Sequence, residues 1–244
     1  EVEAELRAEA ADDARPPPRP SGSAELAVEA HAPPTGYVEP EDAKRAPPDG
    51  LELEWVYGVT SRGARGHAHW TASGGAAFAT AALGVVLDPA ARAQRFCDAH
   101  TADVLCLAMH PDGALAASGQ AGPAARAVVW DTRTGAALTT LRGVHDGRGV
   151  CAVGFDGSGA LLATCGLEPS HALALWDWRA GALLARVATG GARPFGLAFR
   201  PPVAADASDA EAPLIAEVAV CGVRSLGFVL VREGACGHVP GGGG

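Results

Sequence analysis

An internal repeat is the feature that most constrains how this chain can fold. Residues 104–138 align without a gap on residues 150–184, and 12 of the 35 positions are identical. The identical positions include an uncommon pair, which appears as Trp130–Asp131 and again as Trp176–Asp177. A repeat of this length indicates an array of similar structural units, each of which packs on its neighbour.

Each copy of the repeat contains four short apolar runs separated by turn residues. In the first copy these runs predict strands over 104–110, 114–119, 127–131 and 136–141. Four antiparallel strands within about 40–45 residues are typical of one blade of a β-propeller. Because helical periodicity is missing throughout the chain, we predict an all-β fold.

Weaker copies of the repeat flank the two clear ones. Upstream, four apolar runs between residues 67 and 97 lack the Trp-Asp pair. Downstream, residues 195–231 follow the same order around an acidic insert at 203–213, with Val229 in the place of Trp. We therefore predict a partial, atypical propeller of about four four-stranded blades, arranged in an arc that exposes the run 226–231 as its last strand.

Composition divides the chain into six segments. The first fifty residues are acidic and Pro-rich with few large apolar groups, which predicts disorder. Because the sequence starts at Glu1 and ends in four glycines, we interpret it as a fragment. The segments are a linker over 1–50, a motif with the first weak blade over 51–99, clear blades over 100–146 and 147–190, a weak blade over 191–234, and a Gly-rich end over 235–244.

Charge and cysteine usage limit the classes of protein to which this chain can belong. The net charge is −9, but residues 50–200 carry 11 acids and 12 arginines, so a basic face for nucleic acid is not indicated. The longest apolar run, 76–87, is too short to cross a bilayer, which predicts no membrane segment. Six cysteines without a CxxC pair favour reduced, buried thiols in a cytoplasmic protein.

Candidate chemistry is sparse. Lys44 is the single lysine and lies in the linker, so a phosphate-binding loop of the Walker type is excluded, and a hairpin explains the glycines of 154–159. His67 and His69 point the same way on a predicted strand, which suits either metal ligands or exposed strand histidines. No further ligand lies nearby in sequence, so we predict no catalytic residue, no metal and no cofactor.

The stretch LELEWVYG at residues 51–58 alternates apolar and acidic residues. It predicts a strand with Leu51, Leu53, Trp55 and Tyr57 on one face. Followed by a weak blade, by AHTADVLCLAMHPDGALAASGQ at 99–120 and by LWDW at 175–178, it resembles the echinoderm microtubule-associated-protein-like family, in which a hydrophobic motif with a WVYG-type core opens an atypical double propeller. The resemblance assigns a structural motif to Leu51, Leu53, Trp55, Val56, Tyr57 and Gly58.

The resemblance also implies a buried hydrogen-bond network in each blade, formed by a His, a Ser or Thr, the Trp and an Asp. By position, the first clear blade supplies His100, Ser118 and Trp130, but its loop has no acid, so we predict an incomplete network. In the second, Asp146 falls where His is expected, with His145 adjacent and Glu168 as the loop acid. The predicted structural residues of the blades are His100, Ser118, Trp130, Asp131, Thr164, Trp176 and Asp177.

The resemblance implies a non-catalytic protein that binds tubulin or microtubules and contributes to cytoskeletal organisation, in the cytoplasm and on the cytoskeleton, with a cilium or flagellum as one setting. Arg62 and Arg65 form a local basic pair that could contact an acidic partner, although such pairs are more often simply solvated. The alternative is a generic WD-repeat scaffold that assembles other proteins without binding tubulin.

Overall fold

The structure is a computed structural model that describes residues 35–38, 40, 50–60, 66–145, 147–190, 193–201, 214–232 and 235–240. The chain divides into two compact units, Glu1–Leu53 and Glu54–Gly244, and every strand described below lies in the second. No described segment forms a helix with the length and apolarity needed to span a membrane. Most of the predicted linker, the insert at 203–213 and both Arg62 and Arg65 lie outside the described residues.

Within the described residues, sixteen strands form four antiparallel sheets, each with four strands in chain order. We call these sheets blades 1 to 4. Blade 1 contains β1 (His69–Trp70), β2 (Ala76–Thr80), β3 (Leu83–Asp88) and β4 (Ala93–Cys97), and blade 2 contains β5 (Val104–Met109), β6 (Leu115–Gln120), β7 (Arg126–Asp131) and β8 (Ala137–Arg142). Blade 3 contains β9 (Val150–Phe155), β10 (Leu161–Gly166), β11 (Leu173–Asp177) and β12 (Ala182–Val187), and blade 4 contains β13 (Pro194–Phe199), β14 (Leu214–Gly222), β15 (Ser225–Arg232) and β16 (Ala235–Pro240). The prediction of an all-β, partial propeller with about four four-stranded blades is confirmed.

The apolar core lies between consecutive blades. Three buried clusters fill the spaces between blades 1 and 2, blades 2 and 3, and blades 3 and 4. The first strands pack side by side, since β5 contacts β9 and β9 contacts β13. Each blade is marginal as an isolated sheet, so burial against the next blade supplies the stabilisation that holds the array together.

Trp130 shows how tightly adjacent blades fit. Its side chain is fully buried between blades 1 and 2. A Cβ placed on Gly84 of β3 would lie 2.7 Å from Cζ2 of the Trp130 indole. Glycine at this position therefore lets the indole approach the backbone of the preceding blade.

The two clear blades share an irregularity on their outer strands. The register shifts between Val129 and Trp130 where β7 meets β8, and between Leu175 and Trp176 where β11 meets β12. The extra residues of these bulges are the repeat equivalents Leu138 and Leu184, which are 52% and 45% exposed. A bulge on an exposed edge strand blunts pairing with another chain, so the shared bulges protect both rims.

Two sequence-based predictions about strands are wrong. Residues 51–58 form no strand, because the backbone of Val56 is bonded to a side chain rather than to a neighbouring strand edge. The run 226–231 is not the last strand, since it lies within β15 and is covered on its other edge by β16. Strand β16 falls in the segment interpreted as a Gly-rich end, because its Gly and Pro obscured the strand pattern.

Candidate functional site

The motif found in the sequence is held to blade 1 by a glutamine. The backbone N–H of Val56 donates to Oε1 of Gln94 at 2.8 Å, and Nε2 of Gln94 donates to the carbonyl of Val56 at 3.1 Å. The amide of Gln94 thus satisfies both backbone groups of Val56, as a neighbouring strand would. We call residues 54–60 the motif segment.

A second attachment lies at the end of the motif segment. The N–H of Thr60 donates to the carbonyl of Ala79 at 2.9 Å, and Oγ1 of Thr60 accepts from the N–H of Ala81 at 3.2 Å. Ala81 occupies the hairpin between β2 and β3 with a positive φ of 45°. The motif segment therefore contacts both the hairpin and the outer strand of blade 1.

The motif residues do not share one buried face. Trp55 and Val56 are half-buried, whereas Tyr57 is 87% exposed and its ring centroid lies 6.2 Å from that of Trp55. Gly58 has a φ of 94°, which ends the extended conformation. In the first unit, Leu51 and Leu53 are exposed.

Blade 2 contains a continuous chain of buried hydrogen bonds. Nε1 of Trp130 donates to Oγ of Ser118 at 3.1 Å, and Oγ of Ser118 lies 2.6 Å from Nε2 of His100. Nδ1 of His100 lies 3.1 Å from Oε1 of Gln120. When the neutral imidazole of His100 carries its proton on Nδ1, Nδ1 donates to Gln120 and Nε2 accepts from the hydroxyl of Ser118. Every contact in the chain then pairs a donor with an acceptor. Gln120 thus fills the fourth position, and the prediction of an incomplete network was wrong.

Burial sets the protonation of this chain. Desolvation lowers the pKa of His100 to about 4, against a smaller opposing effect of the bond to Gln120. Protonation at Nε2 would place a second donor opposite Oγ of Ser118, which already accepts from Trp130. The neutral imidazole therefore fits the site, and Ser118, which is fully buried, offers no surface to a substrate.

Blade 3 contains the equivalent chain with a carboxylate at its end. Nε1 of Trp176 donates to Oγ1 of Thr164 at 2.9 Å, and Oγ1 of Thr164 lies 2.8 Å from Nε2 of His145. Nδ1 of His145 lies 3.3 Å from Oε1 of Glu168, which also accepts from the N–H of Ala172 at 3.0 Å. The structural role therefore belongs to His145 rather than to the aligned Asp146, which lies outside the described residues.

A one-residue difference in loop length explains why the ungapped alignment misses His145. His100 precedes the start of β5 by four positions, and His145 precedes the start of β9 by five. Gly149 absorbs the extra residue with a φ of 130° and forms an isolated bridge with Ala121.

Asp131 and Asp177 shape the turns that follow the Trp strands. Oδ1 of Asp131 accepts from the N–H groups of Arg133 and Thr134, at 2.7 and 3.0 Å. Oδ1 of Asp177 accepts from the N–H groups of Arg179 and Ala180, both at 3.1 Å. Both carboxylates therefore serve as turn caps at equivalent places in the two repeats.

His67 and His69 each place a ring nitrogen within hydrogen-bond distance of a backbone carbonyl of blade 2. Nε2 of His67 lies 2.6 Å from the carbonyl of Leu105, and Nε2 of His69 lies 3.3 Å from the carbonyl of Leu107. His67 is buried, which lowers its pKa, so the interpretation as an exposed strand histidine was wrong for His67, whereas His69 is half-buried. Among the residues that the structure describes, no group of three His, Cys, Asp or Glu side chains is placed to hold a metal ion.

A cavity of about 530 Å³ lies along the first strands of blades 2, 3 and 4. Two cysteines line it, Cys106 and Cys151, and burial raises the pKa of the Cys151 thiol to about 12 and raises the pKa of the Cys106 thiol as well. Thiols held in the protonated form are poor nucleophiles. Four of the six cysteines are buried as predicted, whereas Cys221 and Cys236 are exposed.

Two family models match the chain. The model of the HELP motif matches residues 46–85, and the model described as WD domain, G-beta repeat, matches residues 92–131. The first match covers the motif segment and most of the blade to which Gln94 and Ala79 belong. The second ends at the Trp-Asp pair of blade 2.

The chain is also similar to individual proteins. The chain is 33% identical over 139 residues to "Ciliary WD repeat-containing protein ctxp80" of Euplotoides octocarinatus, which covers 49% of the chain and 19% of that protein. It is 33% identical over 117 residues to "Echinoderm microtubule-associated protein-like 2" of Homo sapiens, covering 44% of the chain and 18% of that protein. It is 35% identical over 127 residues to "Echinoderm microtubule-associated protein-like 3" of Homo sapiens, covering 45% of the chain and 14% of that protein.

These matches confirm the resemblance to the echinoderm microtubule-associated-protein-like family, since the HELP motif and the WD repeat occur in the predicted order. The matched region spans about a fifth or less of each of these relatives.

Proposed function

We propose that this chain is part of a non-catalytic, microtubule-associated propeller protein that binds tubulin. The observation that carries the proposal is the HELP motif joined directly to WD blades, in a chain that is similar to proteins whose names describe microtubule association. The ciliary relative supports a cytoskeletal location that includes the cilium.

The chemistry of the blades supports a binding role rather than a catalytic one. The two networks use their His, Ser and Thr side chains to satisfy buried Trp N–H groups. The thiols that line the cavity are held in the protonated form by burial. Since residues 50–200 are nearly neutral, tubulin binding by this region would rest on a shaped surface rather than on bulk charge.

Co-sedimentation of the purified chain with polymerised tubulin tests the proposal. We expect the chain to pellet with microtubules, and we expect Trp55→Ala to weaken the binding while thermal unfolding of the blades is retained. Leu138→Ala, an exposed position on the rim of blade 2, is the matched control. A folded chain that stays in the supernatant at micromolar tubulin would favour the alternative of a general WD-repeat scaffold.

A further inference from the structure

The outward face of blade 1 is apolar and covered. Residues directly opposite each other in an antiparallel pair share a face, so Phe78, Val85 and Phe96 lie on one side of the sheet, together with Gln94. Val86 points the other way, into the cluster shared with blade 2. Val85 is nevertheless fully buried. Gln94 binds Val56 on this side, which places the motif segment over the same face of the sheet as Val85.

The motif segment is attached to blade 1 at two points. Gln94 binds both backbone groups of Val56, and Thr60 binds the hairpin of blade 1 through two further hydrogen bonds. Between these points Tyr57 and Val59 are 87% and 54% exposed. No strand ladder joins the motif segment to the described part of blade 1.

We propose that the motif segment is a strap that opens from blade 1 while the blades stay folded, with the side-chain amide of Gln94 as its clasp. The blades are held by strand ladders and by interblade clusters, whereas the hydrogen bonds that attach the strap are few and of modest net strength. Segments with few buried contacts open locally at lower free energy than the core. Opening uncovers Val85 and its apolar neighbours. This inference does not rest on tubulin binding.

Hydrogen exchange of single amides measures the opening directly. In the chain with Gln94→Ala, we expect the protection of the Val56 amide to fall about tenfold, because two hydrogen bonds are lost. The protection of the Leu175 amide in blade 3 should be unchanged. Arg95→Ala is the matched control, since Arg95 is the exposed neighbour of Gln94 on β4. Unchanged protection at Val56, or protection lost equally at Leu175, would overturn the proposal.

Two conservative variants distinguish the hydrogen bonds of the Gln94 amide from the packing of its side chain. Gln94→Met keeps the side-chain volume and removes both hydrogen bonds, so it should open the strap as Gln94→Ala does. Gln94→Glu keeps an acceptor for the Val56 N–H and loses the donor to the Val56 carbonyl, so it should give intermediate protection. If Gln94→Met protects Val56 as well as the wild-type chain does, the hydrogen bonds are not the clasp and the proposal fails.

Labelling of a cysteine under the strap provides an independent measurement. The thiol of Val85→Cys should react with iodoacetamide in the folded chain, and about tenfold faster when Gln94→Ala is added. Peptide mass spectrometry distinguishes this thiol from the exposed Cys221 and Cys236. Reaction only at the rate of global unfolding, in both backgrounds, would show that the strap does not open on its own.

Discussion

At the scale of single residues, the two buried networks differ in the group that accepts from the histidine. The chain of blade 2 ends on the neutral amide of Gln120, and that of blade 3 ends on the carboxylate of Glu168. A carboxylate stabilises an imidazolium, whereas an amide does so only weakly. The blade 2 network is therefore built for a neutral histidine.

This difference predicts a stability that depends on pH through His100. Its pKa is about 4 in the folded chain against 6.5 for the free side chain, so the unfolded state binds the proton more readily. The stabilisation of the fold by neutral His100 is therefore complete above pH 6.5 and is lost as the pH falls from 6.5 towards 4. We expect the free energy of unfolding, measured by urea denaturation, to fall by about 2 kcal/mol between pH 7 and pH 5 because the unfolded state protonates His100 more readily.

Gln120→Glu supplies the matched variant. A carboxylate at this position raises the pKa of His100, so the loss of stability between pH 7 and pH 5 should shrink. NMR titration of the imidazole resonances reads the pKa directly, and the other seven of the eight histidines serve as internal references. Titration of His100 near 6.5 in the wild-type chain, or an unchanged value in the variant, would contradict the account.

The family resemblance, carried through the repeat, predicted most members of the networks. His100, Ser118 and Trp130 occur at the positions that the resemblance assigns, and Thr164 and Trp176 recur 46 residues after the last two. Gln120 was not predicted, and His145 was noted only as the neighbour of the aligned Asp146, for different physical reasons. An amide can accept in place of a carboxylate, and an extra loop residue moves the histidine by one position without moving its ring.

At the scale of strands and blades, backbone proximity sets how the indoles pack. Trp130 lies against the backbone of β3 at Gly84, and its N–H is fixed by Ser118, so the ring has little freedom to move aside. We expect Gly84→Ala to lower the free energy of unfolding by about 1–3 kcal/mol through overpacking.

Gly157→Ala is the control for the Gly84 prediction. Gly157 lies in the turn between β9 and β10, and a Cβ there would meet no atom within 4 Å. Urea denaturation should show the control close to the wild-type chain. Equal destabilisation by the two substitutions would mean that glycine flexibility, rather than contact with Trp130, dominates at Gly84.

Strands with a partner along the chain were predictable, and the motif segment was not. Each blade is a meander of successive hairpins, so alternation and turn residues define its strands locally. Alternation in LELEWVYG indicates an extended chain but cannot show whether a strand edge is available to it. The bonds between Val56 and Gln94 join positions 38 residues apart, and no local pattern reports such a contact.

At the scale of the whole molecule, each interior blade is covered on both faces by its neighbours. Val229 of blade 4 is fully buried in the cluster shared with blade 3. Leu226 and Val239 belong to the opposite face of that sheet, because Phe228 pairs directly with Val239 and alternates with Val229. They are 48% and 53% exposed. Blade 4 thus presents an apolar face to solvent.

This exposed face predicts self-association of the purified chain, because apolar sheet faces bury readily against one another. We expect Leu226→Lys to reduce the weight-average mass in sedimentation measurements across a concentration series, since a charge on the face opposes its burial. Leu184→Lys is the matched control, because Leu184 is similarly exposed on the bulged rim of blade 3. A wild-type chain that stays monomeric across the series would show that the face does not drive association. Equal effects of the two substitutions would instead attribute association to general surface hydrophobicity.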